Sequence, residues 1–160
     1  TACMLKFVDN ELSPSLEDYL EAVLAVIQEK KAVRAKDIAD RLRVGRSSVT
    51  GALQTLAGKG YINYAPYDVI TLTSFGERVA TEILGKHNAL KEFFANVLLI
   101  EPALAEEVAC RMEHAMPEAV VARLELFSEF VMENVKDREE WSRTFARYCA
   151  EKLKQQTKKD

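Results

Sequence analysis

The stretch from 34 to 72 leaves this chain the fewest folds to choose from. Residues 34–43 place Ile38, Ala39 and Leu42 on one helical stripe, and 48–58 do the same with Val49, Ala52, Leu53 and Leu56. Between them Val44-Gly45-Arg46 reads as a tight turn, with Arg46 or Ser47 opening the second helix. Two short helices around a glycine-containing turn form a helix-turn-helix. Lys59-Gly60 supplies a C-terminal glycine stop. The β-rich segments 61–64 and 69–72 follow, with Ala65-Pro66-Tyr67-Asp68 as the turn between them. A hairpin directly after a helix-turn-helix is a wing. Upstream, Ser13 is placed to cap a helix with Pro14 in its first turn. Leu16, Tyr19, Leu20, Val23, Leu24 and Ile27 then recur at helical spacing to about Glu29, and 30–33 is a connection. Three helices followed by a wing are predicted.

Charge distribution says what such a unit could bind. The formal net charge is only −3, yet residues 30–67 carry eight basic and two acidic residues, or +6. Residues 1–29 sum to −5, 68–130 to −6 and 131–160 to +2. A basic segment between acidic ones is an electrostatic footprint for a polyanion. A recognition helix turns its N-terminal residues toward base edges and phosphates, and a helix N-terminus itself favours phosphate. Lys36, Arg43, Arg46, Ser47, Ser48, Thr50 and Gln54 are therefore the candidate contacts to double-stranded operator DNA. Ser and Thr can bond either phosphates or bases, and Gln can read adenine.

The second half is predicted to be all helix. Thr73-Ser74-Phe75-Gly76-Glu77 opens a helix that carries Val79, Ala80, Ile83 and Leu84, with a break expected between 85 and 88. Leu90, Phe93, Phe94, Val97 and Leu98 give the next stretch a wide apolar face. Pro102 starts another helix, carrying Leu104, Val108 and residues 110–114. Pro117 starts the next, with Val120, Val121, Leu124, Phe127, Phe130 and Val131 expected inward. A last helix over 137–154 holds Trp141, Phe145, Tyr148, Cys149 and Leu153, and 155–160 reads as a polar tail. The predicted class is mostly α. Residues 1–75 form a winged helix-turn-helix domain, and 76–160 form a helical domain. The apolar faces of 90–98 and 104–112 exceed what a small domain needs, which points to a homodimer. No apolar run approaches the ~18 residues that span a bilayer. Residues 1–10 lack a signal-peptide layout. Cys3, Cys110 and Cys149 are odd in number and far apart, so no disulfide framework is implied and a cytoplasmic setting is expected.

Cys110-Arg111-Met112-Glu113-His114 concentrates the available chemistry. Residues three and four apart share a helix face, so Cys110, Glu113 and His114 converge as one thiolate, one carboxylate and one imidazole. That mixture suits a divalent transition metal. On the pentapeptide alone, a buried cysteine beside a surface glutamate and an ordinary histidine is the other reading. Asp18 and Glu21 also share a face of the first helix. No Gly-rich phosphate loop, hydrolase elbow or Ser/His/Asp arrangement is present, and Cys110 with His114 lacks a helper residue, so no enzyme is predicted.

Taken in order, these residues resemble the diphtheria-toxin-repressor family of metal-dependent transcriptional repressors over roughly residues 13–135. The resemblance rests on Leu16-Glu17-Asp18-Tyr19-Leu20-Glu21, Asp37-Ile38-Ala39-Asp40-Arg41-Leu42, Ser47-Ser48-Val49-Thr50, Leu72-Thr73-Ser74-Phe75-Gly76, Lys86-His87, Ala109-Cys110-Arg111-Met112-Glu113-His114 and Pro117. It implies a metal-binding and dimerisation domain after the wing. It also implies Asp18, Glu21, His87, Cys110, Glu113 and His114 as ligands, with Glu106 as an ancillary candidate. The family's iron regulators usually have methionine where Asp18 stands, and its manganese regulators often have glutamate where Cys110 stands. This chain mixes the two. It lacks the barrel-like C-terminal domain common among iron regulators, and its length matches the two-domain manganese type. Ser47 replaces a common proline. Gly51 replaces a longer polar residue, so the operator sequence cannot be carried over. Mn²⁺ or Fe²⁺ is the expected corepressor, with Co²⁺ and Zn²⁺ able to bind in vitro. The alternative is a metal-independent winged-helix module for a protein or small ligand, in which Cys110 would be core and Asp18 and Glu21 solvated.

Overall fold

The chain divides into two compact units, Thr1–Gly85 and Lys86–Asp160. The computed structural model describes residues 12–30, 32–65, 69–135 and 137–156. The signal-peptide reading of 1–10, Cys3, the tip of the wing at 66–68 and the last residues of the tail, 157–160, lie outside them. No described helix is long and apolar enough to cross a membrane.

In the first unit, α1 (Pro14–Glu29) begins as expected, with Pro14 at its start and Ser13 extended at φ −73°, ψ 155°. The Ser13 side chain makes no cap bond. Its carbonyl accepts the amides of Leu16 and Glu17 at 2.9 and 3.0 Å instead. The helix-turn-helix is formed by α2 (Ala35–Leu42) and α3 (Arg46–Gly58). At the start of α2 the Arg34 amide donates to Asp37 Oδ2 at 3.0 Å. Asp37 is held below the usual carboxylate range by the Lys30 ammonium and by that amide. The turn differs from the sequence reading. Arg43 takes the left-handed conformation, φ 55°, while Gly45 sits at an ordinary φ of −70° and caps α3. A non-glycine residue there costs roughly 1–2 kcal/mol, offset by the core that α2 and α3 close beneath it.

The wing is shorter than predicted. β1 (Ile62–Asn63) and β2 (Thr71–Leu72) pair antiparallel, Ile62 opposite Leu72 and Asn63 opposite Thr71. Val33, which reads as connection in the sequence, is 1% exposed and bridges Ile70. Its carbonyl accepts the Ile70 amide at 2.8 Å. Tyr61 is withdrawn from β1 because its amide closes the end of α3 on Leu56 O at 3.0 Å. The core beneath gathers Leu20 and Val23 of α1, Ile38 of α2, Val49, Leu53 and Leu56 of α3, and Ile70, all at 1% exposure or less.

Helix α4 (Ser74–Glu92) runs through the expected break. One glycine in a helix costs only about 1 kcal/mol, and Gly85 is flanked by Val79, Ala80 and Ile83 in the first unit's core and Leu90 in the second's. The irregularity comes later, as a π-turn over Phe93–Val97, with the Leu98 amide on Phe93 O at 3.1 Å.

The second unit continues with α5 (Pro102–Met112), α6 (Glu118–Asn134) and α7 (Arg138–Gln156). Its small core joins Leu90, Phe94, Ala105 and Ala109. Val120, Phe127 and Phe130, expected inward, are exposed at 42%, 50% and 60%. Tyr148 and Leu153 are likewise exposed. The period marks an apolar face correctly, but the small core covers it only in part: the Phe127 ring meets that of Phe93 at 6.3 Å between centroids and is still half exposed.

Candidate metal centre

The second unit builds a polar cluster around one buried carboxylate. Helix α5 is started by Pro102, with Glu101 accepting the Leu104 amide at 3.1 Å. Ala105 and Ala109 are both fully buried and pack with Leu90 and Phe94. With no long side chains on that face, α5 can lie close to its neighbours. The regular helix includes Cys110 but ends at Met112, one residue short of Glu113. Glu113 is its C-cap, and His114 follows in the turn. Glu113 keeps helical geometry, φ −56° and ψ −37°, and its amide donates to Ala109 O at 3.0 Å. The three-residue step from Cys110 to Glu113 therefore still holds them on one face, with Cys110 Sγ and a Glu113 oxygen within 4.8 Å.

Glu113 is 2% exposed and His87 6%. His87 Nδ1 lies 2.6 Å from Glu113 Oε2, so a proton sits between them. His87 Nε2 meets Glu106 Oε1 at 3.0 Å, and Glu106 Oε2 meets Lys91 Nζ at 2.7 Å. His114 Nε2 is 3.3 Å from Glu113 Oε1, outside hydrogen-bond geometry. Among the described residues no hydrogen bond reaches Glu113 Oε1. A buried charge is costly unless its lone pairs are satisfied. This carboxylate is satisfied on one oxygen only, and an imidazole nitrogen stands beside each. Carboxylate and imidazole donors grouped in this way can hold a divalent cation. Cys110 is exposed, which removes the reading in which it is a small core residue. Asp18 and Glu21 lie in the first unit, half-buried on α1 and one turn apart.

The candidate DNA contacts also lie in the first unit. Lys36, Arg43, Arg46, Ser47, Ser48 and Gln54 are exposed, and Thr50 is half-buried with its hydroxyl donating to Arg46 O at 3.0 Å. Ser47, Thr50 and Gln54 share one face of α3, and a side chain at Gly51 on that face would meet nothing within 4 Å. Sequence reasoning missed Lys91. Its position four residues after His87 on α4 could have flagged it, because the two then share a face. Glu106, considered only as an ancillary ligand, pairs with the Lys91 ammonium through one oxygen and meets His87 Nε2 through the other. The Lys91 ammonium is the first cause that holds its carboxyl below the usual range.

Both halves of the chain match known proteins. The profile described as the iron dependent repressor N-terminal DNA binding domain matches residues 11–70, and that of its metal binding and dimerisation domain matches 73–142. An uncharacterised HTH-type transcriptional regulator of Methanocaldococcus jannaschii is 38% identical over 128 residues, covering 79% of this chain and 99% of the relative. The HTH-type transcriptional regulator MntR of Shouchella clausii is 30% identical over 122 residues, covering 76% and 85%. A solved manganese-dependent transcriptional repressor in complex with manganese superposes with a TM-score of 0.66 at 27% identity, covering 72% of this chain. This chain spans about half of that repressor's length, 53%. These are regulators rather than enzymes. With both halves matched in order and two relatives aligned over most of their length, the chain belongs to the iron-dependent repressor family of metal-dependent, DNA-binding transcriptional regulators.

Proposed function

We propose that this regulator converts the level of Mn²⁺ or Fe²⁺ into operator occupancy, and so controls manganese or iron homeostasis. The observation that carries the reading is the buried Glu113 carboxylate, with one oxygen lacking a hydrogen bond and an imidazole on each side. The ligand set we infer is Asp18, Glu21, His87, Cys110, Glu113 and His114. Carboxylates and imidazole suit Mn²⁺ and Fe²⁺, whereas the thiolate moves preference toward Fe²⁺, Co²⁺ and Zn²⁺. A bound divalent cation would supply the positive charge that these carboxylates call for. Donors that hold it better in the DNA-competent arrangement shift the population toward that arrangement. Helix α1 is the coupling element of this reading, because it carries Asp18 and Glu21 and packs in the same core as α2 and α3. Residues 1–75 take the DNA-binding role and 76–160 the metal-binding and dimerisation role. Exposed Phe127, Phe130 and Tyr148 suit a homodimer interface, and a cytoplasmic setting follows from operator DNA as partner. A metal-independent module gains nothing from an exposed Cys110.

On the DNA side, Lys36, Arg43 and Arg46 contact phosphates, while Ser47, Ser48, Thr50 and Gln54 lie along the groove. Arg46→Ala is expected to weaken binding to all duplexes and to lower the slope of log K against log salt by about one. Gln54→Ala is expected to relax discrimination at one base pair by ~1–3 kcal/mol, if its contact is bidentate. Titrations of matched and single-mismatch duplexes at several salt concentrations separate the two. A uniform loss for Gln54→Ala with none for Arg46→Ala reverses the assignment.

On the metal side, Cys110 is the soft member of the set. The Co²⁺-loaded protein is expected to show a thiolate-to-metal charge-transfer band, absent in Cys110→Glu, and that variant is expected to favour Mn²⁺ over Zn²⁺ more than the parent does. Superimposable spectra at saturating Co²⁺ remove Cys110 from the ligand set.

A further inference from the structure

A histidine that holds a metal has two ring nitrogens, and the partner of the free one decides which nitrogen faces the ion. His87 Nδ1 faces the Glu113 carboxylate at 2.6 Å, while Nε2 faces Glu106 at 3.0 Å. Glu106 is not at liberty to turn. Its other oxygen is 2.7 Å from the Lys91 ammonium, and Lys91 is one turn after His87 on α4. The row Lys91–Glu106–His87–Glu113 alternates ammonium, carboxylate, imidazole and carboxylate from the half-exposed Lys91 to the buried Glu113. Glu106 is itself half-exposed, at 51%, so it has no need of a partner to be tolerated. What it gains from two partners is a fixed direction.

We propose that Glu106 is a positioning residue for His87, held in place by Lys91. Glu106 accepts the Nε2 proton, so that Nδ1 is the nitrogen that serves the metal centre beside Glu113, and the proton that Nδ1 shares with Glu113 is released to solvent when a cation takes its place. The inference rests on the metal-centre reading above and assigns Glu106 a place outside the ligand set. Lys91 serves the same end from the other side, because a carboxylate already paired with an ammonium is a poorer donor to a second cation. The sequence reading of Glu106 as an ancillary ligand is the competing role, and the two separate by chemistry. A positioning group needs only a hydrogen-bond acceptor, which glutamine retains, whereas a ligand in this set needs the negative charge, which glutamine lacks.

The test measures Zn²⁺ and Mn²⁺ affinity calorimetrically for the full chain, Glu106→Ala and Glu106→Gln. Ring-nitrogen spectra of His87 in the Zn²⁺-loaded proteins and thermal melts without metal accompany it. Glu106→Ala is expected to bind roughly 10–100-fold more weakly, with the His87 signals no longer reporting a single Nδ1-bound form. Glu106→Gln is expected to stay within about threefold of the parent and to keep the Nδ1-bound signature, the ordinary outcome when an acceptor is preserved. Melting temperatures alike across the three proteins assign the loss to the site rather than to folding. Unchanged affinity and His87 spectra in Glu106→Ala overturn the positioning role while the metal centre stands. Glu106→Gln as weak as Glu106→Ala overturns it in favour of direct ligation. A parent chain that binds neither ion overturns the metal-centre reading itself.

Discussion

Replacing Glu113 with alanine is expected to abolish metal-dependent DNA binding. The carboxylate is 2% exposed and meets His87 Nδ1 at 2.6 Å and His114 Nε2 at 3.3 Å. Truncation removes both oxygens at once, and no other described residue reaches those two imidazoles with a buried carboxylate. The loss in Mn²⁺ affinity should exceed the ~10–100-fold typical of residues that merely support a ligand. The metal-free protein should lose only about 1–3 kcal/mol, the cost of leaving a buried polar partner unpaired. Two signs compete in that smaller number, because the substitution also relieves a buried charge whose second oxygen has no hydrogen bond. Calorimetry with Mn²⁺ and urea unfolding without it measure the two effects separately. A variant that binds Mn²⁺ as the parent does would place the metal elsewhere.

The second large effect is on the fold. A Cβ built on Gly76 stands 1.8 Å from the Tyr61 carbonyl oxygen and 2.6 Å from its carbonyl carbon. Both obstacles are backbone, so no rotamer change relieves them. The approach is fixed from both sides. Thr73 donates its amide to Tyr61 O at 3.0 Å, and its side-chain oxygen accepts the Gly76 amide at 2.9 Å. The same hydroxyl lies 2.7 Å from Gly60 O, which ties the start of α4 to the end of α3. Gly76→Ala must push these elements apart, and about 3 kcal/mol is expected, the upper end of the overpacking range. A domain of this size then melts roughly 10–20 °C lower, read by circular dichroism. A melting temperature within about 2 °C of the parent contradicts the contact.

The parts of this protein that the sequence announces are those set by local periodicity. Pro14 marks the start of α1, the stripes of Ile38 and Leu42 and of Val49, Leu53 and Leu56 mark the helix-turn-helix, and Pro102 and Pro117 mark where α5 and α6 begin. Legibility fails where one local preference is outweighed by distant packing. Gly45 advertises a left-handed turn residue, yet Arg43 takes that conformation. Gly85 advertises a break, yet core residues on either side carry α4 through it. The apolar period on α6 shows that Phe127 and Phe130 share a face, but not whether this chain or another covers it.

The metal centre divides in the same way. The spacing of Cys110, Glu113 and His114 places them together without help, and the helical geometry of Glu113 preserves that spacing past the end of α5. The pairing of His87 with Glu113 spans 26 residues, and no periodicity encodes it. Resemblance named His87, and geometry supplied its partner. Lys91 and Glu106 were invisible as a pair, because each is an ordinary surface charge until α4 and α5 bring them to 2.7 Å.

Linkage between a divalent ion and DNA binding is the central property claimed for this chain. The direct measurement is fluorescence anisotropy of duplexes recovered from a random pool in the presence of Mn²⁺, titrated with the full chain in Mn²⁺, in anaerobic Fe²⁺ and in chelator. Saturable binding is expected with either ion, with affinity lower by roughly 5–150-fold in chelator, the usual range for a linked site. Glu113→Ala should bind at the chelator level under all three conditions. Equal affinity with ion and with chelator would contradict metal-linked DNA binding.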